Sequence, residues 1–173
     1  MAKLKKQHMT IHWKAIVQDD SSIPATEATL KEKATLVGRI GLMMLSVGTG
    51  AWRVRNSMNK VARCLGITCT ADIGLLAISY TCIEGTDTYT QSISNPTTGV
   101  NTHKLMQLEL FMKEFPDKVS TYSVKHIHEV LDEIQKLPAN YKAWNLGLAS
   151  ALACGAFTFL LGGGPVEMCC AFL

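Results

Sequence analysis

The chain has 173 residues, of which 18% are charged, and its formal net charge is +3. This small net charge does not indicate a nucleic-acid-binding protein. The six cysteines form neither a CxxC pair nor a mixed His/Cys spacing. We therefore expect no metal site, no cofactor, and free buried thiols in a reducing compartment.

The first residues predict an N-terminal tail over residues 1–24. The opening ten residues carry three lysines but lack the apolar core of a secretory signal. We therefore expect no cleaved presequence, and we expect the polar part of the chain to remain in the cytoplasm.

Hydrophobic periodicity predicts helices over residues 25–47 and 51–65, separated by the glycine-containing segment Ser46–Gly50. Residues 67–83 are rich in Ile, Thr, Tyr and Cys, which favours one or two strands. A turn at Glu84–Asp87 and a return strand over residues 88–94 complete a β-hairpin.

Two further helices are predicted after the hairpin. Asn101 is the expected cap of a helix that runs to Phe115, where Pro116 should end it. The next helix is expected to begin at Ser123 and to end at Leu137, before Pro138.

Residues Ala143–Leu161 contain no Asp, Glu, Lys or Arg. As a helix this run would cover about 28 Å, close to the hydrocarbon thickness of a bilayer. The run therefore predicts a membrane helix, with a helix buried in a soluble core as the alternative. Lys125, Lys136 and Lys142 precede the run and only Glu167 follows it, which places the N-terminus in the cytoplasm.

The predicted fold is an α+β cytoplasmic domain over residues 25–142, with four helices and a β-hairpin or small sheet. The start of an all-α multi-pass membrane domain follows over residues 143–173. Its first helix covers residues 143–161, a Gly-Gly-Gly-Pro corner covers residues 162–165, and a second helix begins at about residue 166. The chain ends within that second apolar stretch, so we expect the remaining membrane helices beyond Leu173 or in a partner.

Several residues could serve a hydrolase, but none forms a known catalytic motif. Ser92, Ser94, Asp72 and His103 occur without G-x-S-x-G. His126 and His128 occur without HExxH, and we expect each to be a surface or capping residue. A membrane-tethered hydrolase that uses a serine with Asp72 or His103 remains an alternative.

The segment SVGTGAWRVR has glycines before a helix and arginines within it, but it lacks both common nucleotide-loop patterns. We therefore interpret it as a helix–helix corner, with Arg53 available for an anion or a carboxylate.

Four stretches, in this order, resemble the threonine/serine exporter family, specifically the N-terminal half found in small two-component bacterial exporters. They are Leu42–Val54, Thr68–Ile78, Gly99–Asn101 with His103 nearby, and Ala149–Leu173. The resemblance gives six candidate substrate or coupling residues: Gly48, Arg53, Asp72, Asn101, Gly163 and Gly164. Two positions depart from the family: Gly50 stands where an acidic residue is frequent, and Gln91 or a neighbour stands where an arginine is frequent.

The resemblance implies export of small hydrophilic metabolites, driven by an ion gradient, with no enzymatic activity. Threonine and serine are the family's named substrates, and another small polar metabolite such as a dicarboxylate is an alternative. The implied location is the plasma (inner) membrane, as a multi-pass protein. The implied partners are a second exporter subunit or the missing membrane helices, membrane lipid, and a second copy of the chain, but no nucleic acid. A cytoplasmic regulatory domain anchored to the membrane is the other alternative.

Overall fold

A computed structural model describes residues 11–17, 23–95, 99–138 and 141–172. The chain divides into two units, Met1–Leu137 and Pro138–Leu173, and each is described by itself.

Helix α1 (Leu30–Ser46) begins at a capping box. The Thr29 hydroxyl accepts from the backbone N–H of Glu32, and the Glu32 carboxylate accepts from the backbone N–H of Thr29. These bonds satisfy two N–H groups that the first helical turn leaves free. The predicted helix therefore starts five residues late, after a 3₁₀ turn at Ala25–Glu27. Helix α2 (Ala51–Cys64) follows the glycine segment.

The strands β1 (Thr68–Ile73), β2 (Ala77–Glu84) and β3 (Asp87–Ser94) form an antiparallel sheet in the order β1-β2-β3. Alternate side chains point to opposite faces of the sheet. The inner face carries the buried side chains, which are Cys69, Ile78, Tyr80, Cys82 and Ile93. A Cβ atom on Gly38 of α1 would lie 2.2 Å from the Tyr80 hydroxyl, so this glycine lets the sheet approach α1 closely.

Helices α3 (Thr102–Lys118) and α4 (Val124–Lys136) complete the first unit. The expectation that Pro116 ends α3 is wrong, because the helix continues through it. Proline has no N–H to donate, which leaves the carbonyl of Met112 without its helical partner. The ammonium of Lys60, on α2, donates to that carbonyl at 2.9 Å and replaces the missing bond.

The N-terminal segment also contributes to the core of the first unit. Trp13 lies in a 3₁₀ turn, Trp13–Ala15, and its side chain is buried. Part of the predicted tail is therefore packed against the helices, because a large indole ring is stabilised strongly by leaving water.

The second unit consists of helices α5 (Ala143–Leu160) and α6 (Pro165–Phe172). The predicted fold class is wrong here: within the described ranges, no helix has both the length and the apolar character needed to cross a membrane. Helix α5 ends at Leu160, because Gly162 adopts a left-handed conformation with φ +87°, and it includes the polar residues Asn145, Ser150 and Thr158. The fold of the described residues is six α-helices and a three-stranded sheet.

Candidate functional site

The structure brings two of the predicted site residues, Gly48 and Asn101, together where α1 ends and α3 begins. Gly48 has φ +86°, a left-handed conformation that favours glycine. A Cβ atom there would lie 3.1 Å from Val100 Cγ2 and 3.3 Å from the Gly99 carbonyl oxygen. The backbone N–H of Asn101 donates to the Val47 carbonyl at 3.2 Å. The glycine thus allows the segment before α3 to pack against the end of α1.

Asn101 also caps α3, as predicted: its side-chain oxygen accepts from the backbone N–H of Lys104 at 3.0 Å. A cleft of about 420 Å³ lies beside this cap. Its polar lining includes Ser46, Asn101, Lys104 and Gln135. The Lys104 ammonium donates to the Gln135 carbonyl at 2.7 Å, near the negative end of the α4 dipole.

Arg53 lies in a separate groove between α2 and α3. Its guanidinium forms an ion pair with the Glu109 carboxylate, and both side chains are 46% exposed. The groove has a volume of about 220 Å³, and Lys60 and Lys113 add two further cations to its lining. Trp52 at its edge is 69% exposed. The groove therefore combines positive charge, one carboxylate and an aromatic surface.

Asp72 is exposed on the outer face of β1, opposite Ser79 in the register. Tyr80, by contrast, points from the inner face to Gly38 of α1. Asp72 therefore lies on the face of the sheet that points away from α1, whereas Gly48 and Asn101 lie where α1 ends and α3 begins, so the structure does not bring the three residues together.

The residues of the hydrolase alternative are also dispersed. The Ser79 and Ser92 hydroxyls lie 2.9 Å apart on the outer face of the sheet. His103 follows Thr102, the first residue of α3. In the part of the chain that the structure describes, no histidine hydrogen-bonds Ser92 or Ser94, and no group of three or more His, Cys, Asp or Glu could hold a metal ion.

Gly163 and Gly164 lie between α5 and α6 in the second unit. The backbone N–H of Gly163 donates to the Thr158 carbonyl at 2.9 Å. A Cβ atom on Gly163 would lie 2.9 Å from that carbonyl oxygen, and one on Gly164 would lie 2.8 Å from a Glu167 carboxylate oxygen. The glycines therefore form a tight corner between the two helices.

Residues 35–173 match the family described as "Putative threonine/serine exporter". The matched part extends from the first half of α1 to the last residue and includes all six predicted site residues. The chain belongs to the threonine/serine exporter family. This confirms the resemblance noted in the sequence, and membership assigns the chain to transport and to the membrane. No curated protein and no solved structure matches the chain.

Sequence reasoning missed one buried polar cluster in this exporter-family chain, formed by Trp13, Arg39, His128 and Asp132. Arg39 is 5% exposed and forms an ion pair with Asp132. One of its guanidinium nitrogens, Nη1, lies 3.1 Å from His128 Nδ1 and donates to the His128 carbonyl at 2.8 Å. The expectation that His128 is a surface or capping residue is wrong, because its side chain is fully buried and it lies inside α4, which Ser123 caps.

The cluster perturbs two pKa values in the threonine/serine exporter chain. Burial, together with the nearby positive charge of Arg39, lowers the pKa of His128 from 6.5 to about 3. Burial also lowers the pKa of Arg39, and the Asp132 carboxylate opposes that change. The sequence did carry a signal for the cluster: His128 and Asp132 are four residues apart on α4 and so share a face with the buried side of the helix.

Proposed function

We propose that this chain is a non-catalytic subunit of a membrane exporter that moves threonine and serine out of the cell, driven by an ion gradient. The family match over residues 35–173 carries the proposal. Amino acids cross hydrocarbon poorly because their charged ends must lose water, so export requires a protein path. Export against a concentration gradient also requires a second, favourable gradient.

We assign substrate contact to the Arg53 groove on the basis of its charges. A free amino acid has one carboxylate and one ammonium group. A guanidinium binds a carboxylate with two parallel hydrogen bonds, and Arg53 is half-exposed and pairs with Glu109 through Nη2, which leaves further N–H groups for a substrate carboxylate. Glu109 supplies a carboxylate for the ammonium group, and Asn56 and Ser57 line the same groove with groups suited to a side-chain hydroxyl.

In the same proposal, the cleft beside Gly48 and Asn101 does not contact the substrate but sets the position of Glu109 relative to Arg53. Asn101 holds the start of α3, and Glu109 lies two turns further along that helix. A change in the Gly48 corner would therefore move Glu109 relative to Arg53, which lies on α2. Two further sites are assigned to contacts with a partner or to the coupling of export to the ion gradient. They are Asp72, on the outer face of the sheet, and the Gly163–Gly164 corner.

The partners and the location belong to the same proposal. A second exporter subunit or further helices supply the transport path, membrane lipid surrounds it, and a second copy of this chain is an alternative partner. The location is the inner membrane with the first unit on the cytoplasmic side, because lysines at positions 125, 136 and 142 precede α5. A reporter enzyme active on only one side of the membrane, fused before residue 1, tests the orientation.

The function is tested in cells that carry the complete exporter, with cells that lack it as reference. Both are fed threonine- or serine-containing dipeptides, and the intracellular and external amino acids are measured. We expect lower intracellular threonine and serine when the exporter is present. Equal levels at matched growth and dipeptide load would contradict the exporter assignment. Hydrolysis of esters or peptides by the purified chain would favour the hydrolase instead.

The groove is tested with Arg53→Ala, which removes the guanidinium, and with Arg53→Lys, which keeps one charge. Arg63→Ala is the matched control, because Arg63 is exposed on the same helix and donates only to the Asn59 carbonyl. We expect Arg53→Ala to slow export at least tenfold, Arg53→Lys to have an intermediate effect, and Arg63→Ala to have none. Equal rates for Arg53→Ala and Arg63→Ala would remove Arg53 from the substrate path. Loss of the ion gradient should abolish export in every variant.

A further inference from the structure

Two buried cysteines face each other across neighbouring strands of the sheet. Cys69 on β1 lies opposite Cys82 on β2, and they are 7% and 0% exposed. Both side chains lie on the inner face of the sheet. They belong neither to the Arg53 groove nor to the buried Arg39 cluster.

The turn between β2 and β3 determines the geometry of this pair. Glu84 lies opposite Asp87 across a two-residue turn, which makes them a hydrogen-bonded pair. Hydrogen-bonded and non-hydrogen-bonded pairs alternate in an antiparallel ladder, so Cys82 and Tyr89 are also hydrogen-bonded. The backbone N–H and C=O of Cys82 therefore point to β3, and Cys82 forms a non-hydrogen-bonded pair with Cys69 on its other side.

A non-hydrogen-bonded antiparallel pair suits a disulfide. Its Cα atoms are typically about 4.5 Å apart. Disulfides have Cα separations of about 4.4–6.8 Å. The two sulfur atoms of Cys69 and Cys82 can therefore be joined without a large movement of either strand.

We propose that Cys69 and Cys82 form a site of reversible oxidative modification, at which a peroxide converts the two thiols into an intramolecular disulfide that links β1 to β2. The Cys69 thiolate attacks one peroxide oxygen, the O–O bond breaks, and the second oxygen leaves as water after protonation. The Cys82 sulfur then attacks the sulfenic acid on Cys69, its thiol proton is released, and the S–O oxygen leaves as a second water. In sum, two thiols and one hydrogen peroxide give one disulfide and two waters.

The environment assigns the attacking sulfur to Cys69. The adjacent Cys82 thiol lowers the pKa of Cys69, whereas the adjacent Cys69 thiol and burial raise the pKa of Cys82. Cys69 also lies on β1, at the edge of the sheet, and is the more exposed of the two. A small-molecule thiol that exchanges with the disulfide restores the pair.

The test uses the purified full-length chain in which the exposed cysteines of the second unit, Cys154, Cys169 and Cys170, are replaced by serine. After hydrogen peroxide and alkylation of free thiols, we expect the intact mass of the reduced chain minus two hydrogen atoms plus one alkyl adduct, which is carried by Cys64. Cleavage before Asp72 separates Cys69 from Cys82, so the disulfide appears as two linked peptides that a dithiol reductant separates. The oxidised chain should unfold several degrees higher, because the link constrains the unfolded state.

Two variants distinguish this pair from other disulfides. Cys64→Ser should leave the linked peptides unchanged, since Cys64 lies on α2 outside the pair. Cys82→Ser should abolish them and leave Cys69 as a sulfenic acid that a dimedone probe labels. Linked peptides that persist in Cys82→Ser, or full alkylation of Cys69 and Cys82 after peroxide treatment of the parent chain, would overturn the proposal. The second result needs no variant and is therefore independent of any folding defect.

Discussion

The indole ring of Trp13 lies parallel to the imidazole ring of His128, with 4.8 Å between the ring centroids and 7° between the planes. The Arg39 guanidinium lies 5.7 Å from the Trp13 ring centroid, and the Trp13 indole N–H donates to Asp132 at 3.4 Å. A single aromatic side chain thus joins the N-terminal segment to α1 and α4. Several predictions about stability rest on this cluster.

Trp13→Ala should destabilise the first unit by about 3–5 kcal/mol, the usual cost of truncating a buried tryptophan. The indole contributes apolar burial, the stacking contact and a cation–π contact. Urea denaturation followed by circular dichroism measures the change. Trp52→Ala is the control, because Trp52 is 69% exposed, and its effect should stay within about 0.5 kcal/mol. Similar losses in both variants would mean that residues 11–17 do not pack in solution.

His128 should make the first unit less stable in acid. The pKa of His128 is about 3 in the folded protein and ordinarily 6.5, so between these values the unfolded chain binds more protons. The free energy of unfolding therefore rises with pH in this window: the stabilisation is present above pH 6.5 and is lost as the pH falls toward 3. From neutral pH to about pH 4, we expect a loss of about 3 kcal/mol from this residue.

Carboxylates also titrate in acid, so the His128 contribution is read as a difference between variants. His128→Gln cannot gain a proton, and its free energy of unfolding should depend less on pH than that of the unchanged chain. His126→Gln is the control, because His126 is half-exposed and only two residues away. Identical pH profiles for His128→Gln and His126→Gln would show that the buried imidazole does not resist protonation.

Most helices and strands of the first unit could be predicted from local sequence patterns. Contacts between residues that are distant in the sequence, such as those of the buried cluster, could not. The caps at Asn101 and Ser123 were predictable because a capping side chain acts on an N–H three residues ahead. Pro116 was misjudged because the missing bond to the Met112 carbonyl is replaced by Lys60, which lies 52 residues before Met112 in the sequence. Only the tertiary structure brings such groups together.

In the candidate site, too, individual residues could be selected from the sequence, but their contacts across the fold could not all be predicted. Gly48 and Asn101 were selected through the family resemblance, and the structure places them side by side. Arg53 was selected in the same way. Its partner Glu109 was not, because the sequence around an exposed glutamate on a helix does not show which distant arginine it pairs with. The helix predicted over residues 143–161 is present as α5, Ala143–Leu160, although no helix within the described ranges has the length and apolar character needed to cross a membrane.

The Arg39–Asp132 ion pair should be costly to break from one side. Asp132→Asn leaves the buried Arg39 charge without its counter-ion, and we expect a loss of about 3–5 kcal/mol. Arg39→Met combined with Asp132→Leu removes both charges, so the double variant should be more stable than the sum of the single changes predicts. A double-mutant cycle by urea denaturation measures this coupling.

The exposed pair Glu114–Lys118 provides the reference for that cycle. Both side chains are about half-exposed and four residues apart on α3. Lys118→Met should destabilise the first unit far less than breaking the Arg39–Asp132 pair does, because water screens the charges of Glu114 and Lys118. A coupling energy for Arg39 and Asp132 no larger than that for Glu114 and Lys118 would show that burial does not strengthen the pair.

Gly48→Ala should destabilise the corner between α1 and α3 more than Gly66→Ala destabilises its own turn. Both glycines have positive φ angles, +86° and +74°, so each alanine carries a backbone penalty of about 1–2 kcal/mol. An alanine at position 66 meets no atom within 4 Å, whereas one at position 48 meets Val100 Cγ2 at 3.1 Å and the Gly99 carbonyl oxygen at 3.3 Å. These contacts crowd the segment before Asn101 and should add about 1 kcal/mol. Adding Val100→Ala removes the side-chain contact and should recover part of the difference in urea denaturation. If Gly48→Ala and Gly66→Ala cost the same and Val100→Ala recovers nothing, the close approach of this segment to α1 does not exist in solution.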